Sequence, residues 1–222
     1  MARGFGATHG VGTTDCVESG SSFDLSGAMS FASWTYRTGA GGSSQGRFFD
    51  KRSAGAVLLF SFHNNESGTT VYQYQFGGGT DGVYTTAQPA VNEWHHVLVT
   101  WDGSGAPIVY IDGVSVTVTT GITFVAPQDT GSSIFHFGNR GSDHGRVWDG
   151  YLAEPAIWNR VLTAAEAASI GTKKFSPAFF LRGLVEYAPL IRTLVPRKGA
   201  LFTATGTAVQ PHPRIIYPYN QK

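Results

Sequence analysis

The sequence has little cysteine and no long apolar run. Its 222 residues include one cysteine, Cys16, so a disulfide cannot form within the chain. A single thiol fits a reducing compartment, and we interpret Cys16 as a small buried apolar residue. No window approaches the ~20 apolar residues of a membrane helix, and no apolar stretch of signal-peptide length follows Met1. We therefore expect neither membrane contact nor export by a classical signal.

Charge is also scarce. Charged residues make up 14% of the chain, compared with ~25% in an average soluble protein. Two interpretations stay open: a partner covers part of the surface, or the chain simply has the composition of a β protein. The 29 glycines and the 13% of aromatic residues favour short strands joined by tight turns.

Several segments have the alternation of β-strands. In residues 71–76 (VYQYQF), three aromatic side chains share one face. Residues 95–101 (HHVLVTW) are apolar on both faces, as in the middle of a sandwich. Asp112-Gly113 predicts a tight hairpin turn between a strand at 108–111 and an alternating strand at 114–119. These patterns predict an all-β protein with antiparallel strands.

One short helix is predicted near residue 165. Thr163 can cap it, and Glu166 three residues later completes a capping box. Four alanines favour the helical state, and Gly171 is expected to end it.

The last fifty residues differ from the rest. Residues 1–172 contain eight Lys and Arg against fourteen Asp and Glu, whereas residues 173–222 contain eight Lys and Arg and one acid, Glu186. The second range also has six of the ten prolines and several apolar patches. Prolines argue against a helix or a central strand there. We predict a domain at 1–172 followed by an extended, basic C-terminal arm at 173–222.

Three parts of the chain resemble laminin-G-like, concanavalin-A-like jelly rolls. The opening resembles theirs at 12–17 (GTTDCV) and 23–34 (FDLSGAMSFASW). The most specific match is 92–103 (NEWHHVLVTWDG) with 108–113 (IVYIDG). The closing part resembles theirs at 137–140 (FGNR) and 150–163 (GYLAEPAIWNRVLT). The resemblance implies an antiparallel jelly-roll β-sandwich over about residues 10–172, with one short helix.

The resemblance also bears on calcium. In many members, an acidic residue of the closing strand helps to hold a structural calcium ion. The matching position here is Ala153, next to Glu154, and Asp15 is the one remaining candidate ligand. Calcium prefers six to eight oxygen ligands. With one carboxylate missing, we expect no cofactor, and a calcium ion held by Asp15 is the less favoured alternative.

The sequence does not favour catalysis. Retaining glycosidases need two carboxylates about 5 Å apart, and related glucanases place theirs in a Glu-x-Asp-x-(x)-Glu pattern that this chain lacks. Its acids lie mostly in turns, such as Asp81-Gly82 and Asp102-Gly103. His95 and His96 are adjacent in a strand and point to opposite faces, so they cannot chelate one ion. Gly77-Gly78-Gly79 has no following Lys or helix, which predicts a loop rather than a phosphate site.

Residues 139–148 (NRGSDHGRVW) form the best candidate ligand-binding loop. Sugars are held by planar polar groups together with an aromatic platform. The candidate contacts are Asn139, Arg140, Asp143, His144, Arg146 and Trp148. The alternative is a solvated loop whose Trp148 caps the core.

The C-terminal arm suggests a function. Residues 183–190 (GLVEYAPL) and 212–218 (HPRIIYP) resemble C-terminal extensions of laminin-G-like proteins encoded by bacteriophages and prophages. This resemblance implies a virion structural protein made in the host cytoplasm, most specifically a capsid decoration protein. The partners would be a major capsid or tail protein and further copies of this chain. The predicted anchoring residues are Phe179, Phe180, Arg182, Arg192, Arg197, Lys198 and Arg214.

Two alternatives remain open. A carbohydrate-binding module for host or extracellular glycans is the first, and a glycoside hydrolase is the second. Nucleic acid is not an expected partner, because the basic residues are scattered among prolines and do not form a stripe.

Overall fold

A computed structural model describes residues 2–6, 14–22, 27–52, 58–65, 71–76, 83–121, 133–190, 197–199 and 201–218. Within these ranges the chain forms two antiparallel sheets that pack face to face, together with one α-helix and two short 3-10 turns. The all-β jelly-roll sandwich that the sequence predicts is therefore confirmed. None of the helices in the described ranges has the length and apolar character that crossing a bilayer requires.

The first sheet has eight strands. Seven of them lie in the order β10-β9-β8-β3-β13-β1-β16, and β14 pairs with residues 156–158 of β13. Their bounds are β1 (Ala2–Phe5), β3 (Met29–Arg37), β8 (Trp94–Trp101), β9 (Ile108–Ile111), β10 (Val114–Val116), β13 (Gly150–Trp158), β14 (Leu184–Tyr187) and β16 (Ala208–Gln210).

The second sheet also has eight strands, in the order β11-β7-β6-β5-β4-β12-β2-β15. Their bounds are β2 (Cys16–Ser22), β4 (Arg47–Arg52), β5 (Leu58–Asn65), β6 (Val71–Phe76), β7 (Val83–Ala87), β11 (Thr119–Thr120), β12 (Ile134–Phe137) and β15 (Thr203–Thr205).

The main core lies between the sheets and is dominated by aromatic rings. Phe31 of the first sheet meets Phe49, Phe62 and Phe135 of the second, with ring centroids 5.0–5.8 Å apart. Tilted and edge-to-face contacts at such distances stabilise the interface beyond the burial of apolar area. Alternate residues of each strand point away from this core, which gives each sheet an outer face.

The hairpin at Asp112-Gly113 is confirmed. Both residues have positive φ, 52° and 83°, as a type I′ turn requires. The alternating strand predicted over 114–119 is only partly correct. β10 ends at Val116, and Thr119 pairs with Thr85 in the other sheet. The chain therefore crosses between sheets inside a segment whose alternation is nearly continuous.

The helix α1 (Ala164–Gly171) has the predicted capping box. The Thr163 hydroxyl accepts a bond from the Glu166 backbone N–H at 3.2 Å, and the Glu166 carboxylate accepts one from the Thr163 backbone at 2.8 Å. Ala167 and Ile170 pack against the outer face of the first sheet and cover Leu98. The helix thus covers one end of that outer face, and it does not cover the other end.

The C-terminal arm does not stand apart from the sandwich. It contributes β14 and β16 to the first sheet and β15 to the second. Leu190 and Phe202 of the arm lie in the main core. Parts of the arm therefore pair and pack with the sandwich through contacts between distant parts of the chain, which composition does not reveal. The division at residue 172 stays a prediction from composition.

Candidate functional site

The predicted loop 139–148 is held by one buried amide. Asn139 is fully buried, its Nδ2 donates to the Asp15 carbonyl at 3.0 Å, and its Oδ1 accepts from the backbone N–H groups of Arg140 and Arg146. Because this side chain is occupied by the loop's own backbone, it acts as a scaffold rather than a surface contact.

Two other predicted residues pair with each other. Arg140 donates through Nε to Asp143 Oδ1 at 2.6 Å and through Nη2 to Asp143 Oδ2. Bidentate pairing holds the pKa of Asp143 below its usual range, together with a hydrogen bond from Gly145. Arg146 donates to the Ser43 carbonyl at 3.0 Å, and His144 lies beside the second sheet.

The predicted aromatic platform of this loop is corrected by the structure. Trp148 is fully buried and meets Phe48 edge-to-face with ring centroids 5.6 Å apart. It caps the core, and no ligand can stack on it. Loop 139–148 therefore presents polar groups without the aromatic surface on which its interpretation as a sugar site depended.

An aromatic surface does exist, on the outer face of the first sheet. Tyr36, Trp94 and Tyr151 lie side by side because β3 pairs with both β8 and β13, with Tyr36 opposite Trp94 and opposite Tyr151. Tyr36 and Tyr151 stack at 4.9 Å with an interplanar angle of 24°. Trp94 lies 5.6 Å from Tyr36 and 6.1 Å from Tyr151. All three side chains are half-buried, so each ring keeps some contact with solvent.

A polar cleft adjoins this aromatic row. It has a volume of about 280 Å³ and is lined by Trp34, Trp94, Asp112, Gly171, Thr172 and Lys174. Trp94 therefore belongs both to the row and to the cleft wall. An indole, a carboxylate, a hydroxyl and an ammonium group converge there, which is the combination of apolar and directional groups that small polar ligands need.

The cleft is supported by the hairpin turn. Asp112 accepts a bond from the His96 backbone at 2.8 Å, and its other oxygen lies 2.7 Å from His95 Nδ1. The neighbouring ring of His96 packs against Trp34 at 5.2 Å, and burial lowers its pKa to about 3. The two histidines thus have separate surroundings, as their strand positions predict.

A second cleft, of about 490 Å³, lies between β7 and the end of β10. Its walls are Thr, Val and Ala side chains, without a charged group: Val71, Thr85, Thr86, Ala87, Val116, Thr117 and Thr119. It is larger than the cleft beside Trp94, but it offers few groups that could orient a ligand.

Sequence reasoning missed the aromatic row. Its members are 58 and 57 positions apart along the chain, at residues 36, 94 and 151. Each reads by itself as an ordinary strand aromatic. A signal was available for two of the three, since Trp94 and Tyr151 both occur in segments that resemble the family. Each lies at a strand end where the helix no longer covers the outer face of the sheet.

The closing strand contains a buried carboxylate that the arm contacts. Glu154 lies at a β-bulge, with φ of 55°, one residue after Ala153, which replaces the acidic residue that holds calcium in many family members. Its oxygens accept bonds from the hydroxyls of Tyr187 and Tyr217, both at 2.5 Å, and lie 2.9 Å from His212 Nε2. Both tyrosines have raised pKa values through burial and through the nearby Glu154. This carboxylate therefore fixes the arm to the sheet.

Asp15, the calcium candidate of the opening segment, is also inside the protein. It is fully buried, and its Oδ2 accepts a bond from the Gly6 backbone at 3.0 Å. Gly206 of the arm approaches the other oxygen so closely that an added Cβ would lie 2.2 Å from it. Asp15 thus helps to join β1, β2 and the arm.

The predicted anchoring residues differ in exposure: some face solvent, and others pack against the sandwich. Phe179 is 43% exposed, whereas Phe180 packs against the helix-side core and its carbonyl accepts a bond from Trp158. Arg197 lies over the Tyr217 ring at 5.8 Å, and Lys198 pairs with the Tyr187 backbone. Arg182 and Arg214 are exposed. Arg192 lies outside the described residues, as do Asp81-Gly82 and Gly77-Gly78-Gly79.

Two eight-stranded antiparallel sheets packed around one core define a jelly-roll sandwich of the concanavalin A type. The chain belongs to the concanavalin A-like lectin/glucanases superfamily, whose model matches residues 9–168. This finding confirms the resemblance seen in the sequence, over nearly the same range. No curated protein matches the chain.

Solved structures agree on the fold. A heptameric SAP-like pentraxin from Limulus polyphemus has a TM-score of 0.64 at 13% identity, covering 88% of each chain. A "putative carbohydrate binding protein" from Bacteroides ovatus has a TM-score of 0.65 at 17% identity, and the match covers 97% of this chain and 61% of that one. At these identities the similarity establishes the fold and not a ligand.

Proposed function

We propose that this protein is a non-catalytic carbohydrate-binding protein that holds its glycan on the row Tyr36–Trp94–Tyr151. The single observation that carries the proposal is the alignment of three half-buried rings on adjacent strands. A pyranose ring presents an apolar face of C–H groups and a rim of hydroxyls. The aromatic row matches the apolar face, and the cleft beside Trp94 matches the rim.

The cleft supplies hydrogen-bonding groups of both kinds. Asp112 accepts, Lys174 donates, and the Thr172 hydroxyl, which donates its proton to the Asp112 carbonyl at 2.9 Å, can accept. These groups come from a hairpin turn and from the residues that follow α1, so the fold fixes their positions independently of any ligand. Such preorganisation lowers the entropy cost of binding. The same fold in a protein described as carbohydrate binding supports the proposal.

Replacement of one ring tests the stacking. We expect Trp94→Ala to weaken glycan binding by at least about tenfold, corresponding to about 1.4 kcal/mol, because the ring shared by the aromatic row and the cleft wall is lost. A glycan array would identify a ligand, and calorimetry would measure its affinity. Tyr151→Phe should bind almost normally, since it keeps the ring, whereas Tyr151→Ala should not.

Val114→Ala is the matched control, because Val114 is 65% exposed on the edge strand of the same sheet. Its binding should equal that of the wild type. The proposal fails if the wild type binds no glycan with or without calcium, or if a correctly folded Trp94→Ala protein keeps its full affinity.

A second function, attachment to a virus particle, is supported by the outer side of the arm. Eight large apolar side chains are exposed among the described residues, and five lie on the arm: Phe179, Leu181, Leu201, Val209 and Ile216. Exposed apolar groups concentrated on one segment are typical of a surface that a partner covers. The excess of positive charge in residues 173–222 suits an acidic partner surface.

Co-sedimentation tests this second function. We expect the chain to appear in the particle band of a density gradient at a fixed ratio to the major shell protein. Leu181→Ser and Leu201→Ser should reduce that ratio, whereas Val114→Ser, an equally exposed change on the body of the sandwich, should not. Recovery of all the wild-type protein in the free fraction would reject attachment and leave the glycan-binding function unaffected.

A further inference from the structure

A group of metal-binding side chains lies on the second sheet, apart from the aromatic row. Ligand atoms of Cys16, Glu18 and His144 all lie within 4.8 Å of one another. His144 Nε2 is 3.8 Å from Glu18 Oε1, and His136 Nε2 is 3.6 Å from the same oxygen. A thiol, a carboxylate and an imidazole therefore converge on one point, with a second imidazole beside the carboxylate.

Strand geometry explains the convergence. Cys16 and Glu18 are two positions apart on β2, so they share a face, and that face is the outer one because Val17 points into the core. His136 on β12 is directly opposite Glu18 in the ladder. These three side chains are consequently fixed by the sheet itself.

The loop 139–148 brings the remaining ligand. Asn139 ties the loop to the backbone of Asp15, immediately before Cys16, and the Gly141 backbone donates to Asp50 Oδ1 at 3.0 Å. His144 follows within this braced turn, with φ of 55°. The loop is thus anchored to β2 and to β4 on either side of the cluster. These anchors hold His144 close to Glu18.

We propose that Cys16, Glu18 and His144 form a site for a zinc-like divalent transition metal ion. Sulfur, nitrogen and carboxylate oxygen are the ligands that zinc takes, whereas calcium takes oxygen alone. Tetrahedral zinc with bonds of about 2.0–2.3 Å places its ligand atoms about 3.3–3.6 Å apart. The observed separations exceed this by an amount that side-chain rotation can close.

The surroundings fit a bound cation. Cys16 is 1% exposed, while the side chains of Glu18 and His144 are 35% and 34% exposed, so the ion has a path from solvent and water can supply the fourth ligand. The carboxylates of Glu18, Asp50 and Asp15 act electrostatically on the thiol, and their negative charge favours a cation there. His136 acts as a positioning residue, because its contact with Glu18 orients the carboxylate.

Cobalt substitution tests the site directly. The reduced, full-length protein is titrated with Co²⁺, and we expect one equivalent to give a thiolate-to-cobalt charge-transfer band that Zn²⁺ abolishes and excess Ca²⁺ does not. Cys16→Ser should remove the band. His144→Gln and Glu18→Gln should each weaken Zn²⁺ binding by more than about tenfold, and His136→Gln by about tenfold.

Glu93→Gln is the matched control, since the Glu93 side chain is 69% exposed and remote in sequence from the cluster. It should bind Zn²⁺ as the wild type does. His144→Gln changes a partly exposed loop residue, so it tests the site even if Cys16→Ser fails to fold. Absence of the charge-transfer band in the wild type, or unchanged affinity in both His144→Gln and Glu18→Gln, overturns the proposal.

Discussion

At the scale of single residues, buried ionisable groups set how this protein responds to pH. His63, His96 and His136 have lowered pKa values, chiefly because burial disfavours the charged ring. The folded protein keeps these rings neutral, and the unfolded chain takes up protons below about pH 6.5. The free energy of unfolding therefore decreases as the pH falls below that value.

Glu186 behaves in the opposite way. It is fully buried on β14, its two carboxylate oxygens have no hydrogen-bond partner among the described residues, and Gly199 packs against it. Burial raises its pKa from 4.5 to about 8. The folded state holds a proton that the unfolded chain releases above about pH 4.5, so stability falls as the pH rises from about 4.5 to about 8.

Glu186→Gln should remove this dependence. Both proteins contain the same histidines, so the difference between their profiles isolates Glu186. We expect the free energy of unfolding, measured with urea, to fall in the wild type relative to the variant as the pH rises from about 4.5 to about 8. The variant should become the more stable protein near pH 8. Parallel profiles for the two proteins would contradict a buried, protonated Glu186.

At the scale of elements, the arm is part of the sandwich. β14, β15 and β16 extend both sheets, and the contacts of Glu154 with Tyr187, His212 and Tyr217 fasten the arm to β13. A carboxylate buried with several donors is costly to expose or to leave unpaired. The arm and the closing strand therefore fold as one unit.

Deletion of residues 173–222 should abolish cooperative folding. The truncated chain loses three strands and the core side chains of Leu190 and Phe202, and it leaves Glu154 buried without its arm partners. Circular dichroism during heating would show a broad or absent transition. Leu190→Ala, a milder change, should cost about 2–5 kcal/mol in urea unfolding.

A chain that ends at residue 218 is the control for this truncation, because it keeps every strand of the described ranges. It should unfold like the full-length protein. If residues 1–172 alone unfold cooperatively at a temperature near that of the full chain, the arm is an accessory and not an integral part of the fold.

At the scale of the whole molecule, the two candidate sites lie on opposite outer faces. The aromatic row is on the first sheet, and the cluster of Cys16, Glu18 and His144 is on the second, with the aromatic core between them. Substitutions at one site therefore leave the other intact, and glycan binding and metal binding can be tested independently. The exposed apolar residues of the arm provide a third surface for a partner.

Local features of the sequence determined much of the fold. Asp112-Gly113 specifies its turn because both residues tolerate positive φ, and Thr163 with Glu166 specifies the start of the helix through bonds within four residues. The alternation in 71–76 correctly predicts β6. Each of these depends on neighbours in sequence, so the residues themselves carry the information.

Only the tertiary structure decided which distant residues meet. The row Tyr36–Trp94–Tyr151 and the cluster of Cys16, Glu18 and His144 exist because particular strands pair in particular registers, and a shift of one residue would turn each side chain to the other face. Trp148 shows the same limit, since this loop residue owes its place in the core to contacts such as that with Phe48 of β4. The sequence contains these side chains, and long-range strand pairing assembles them into sites.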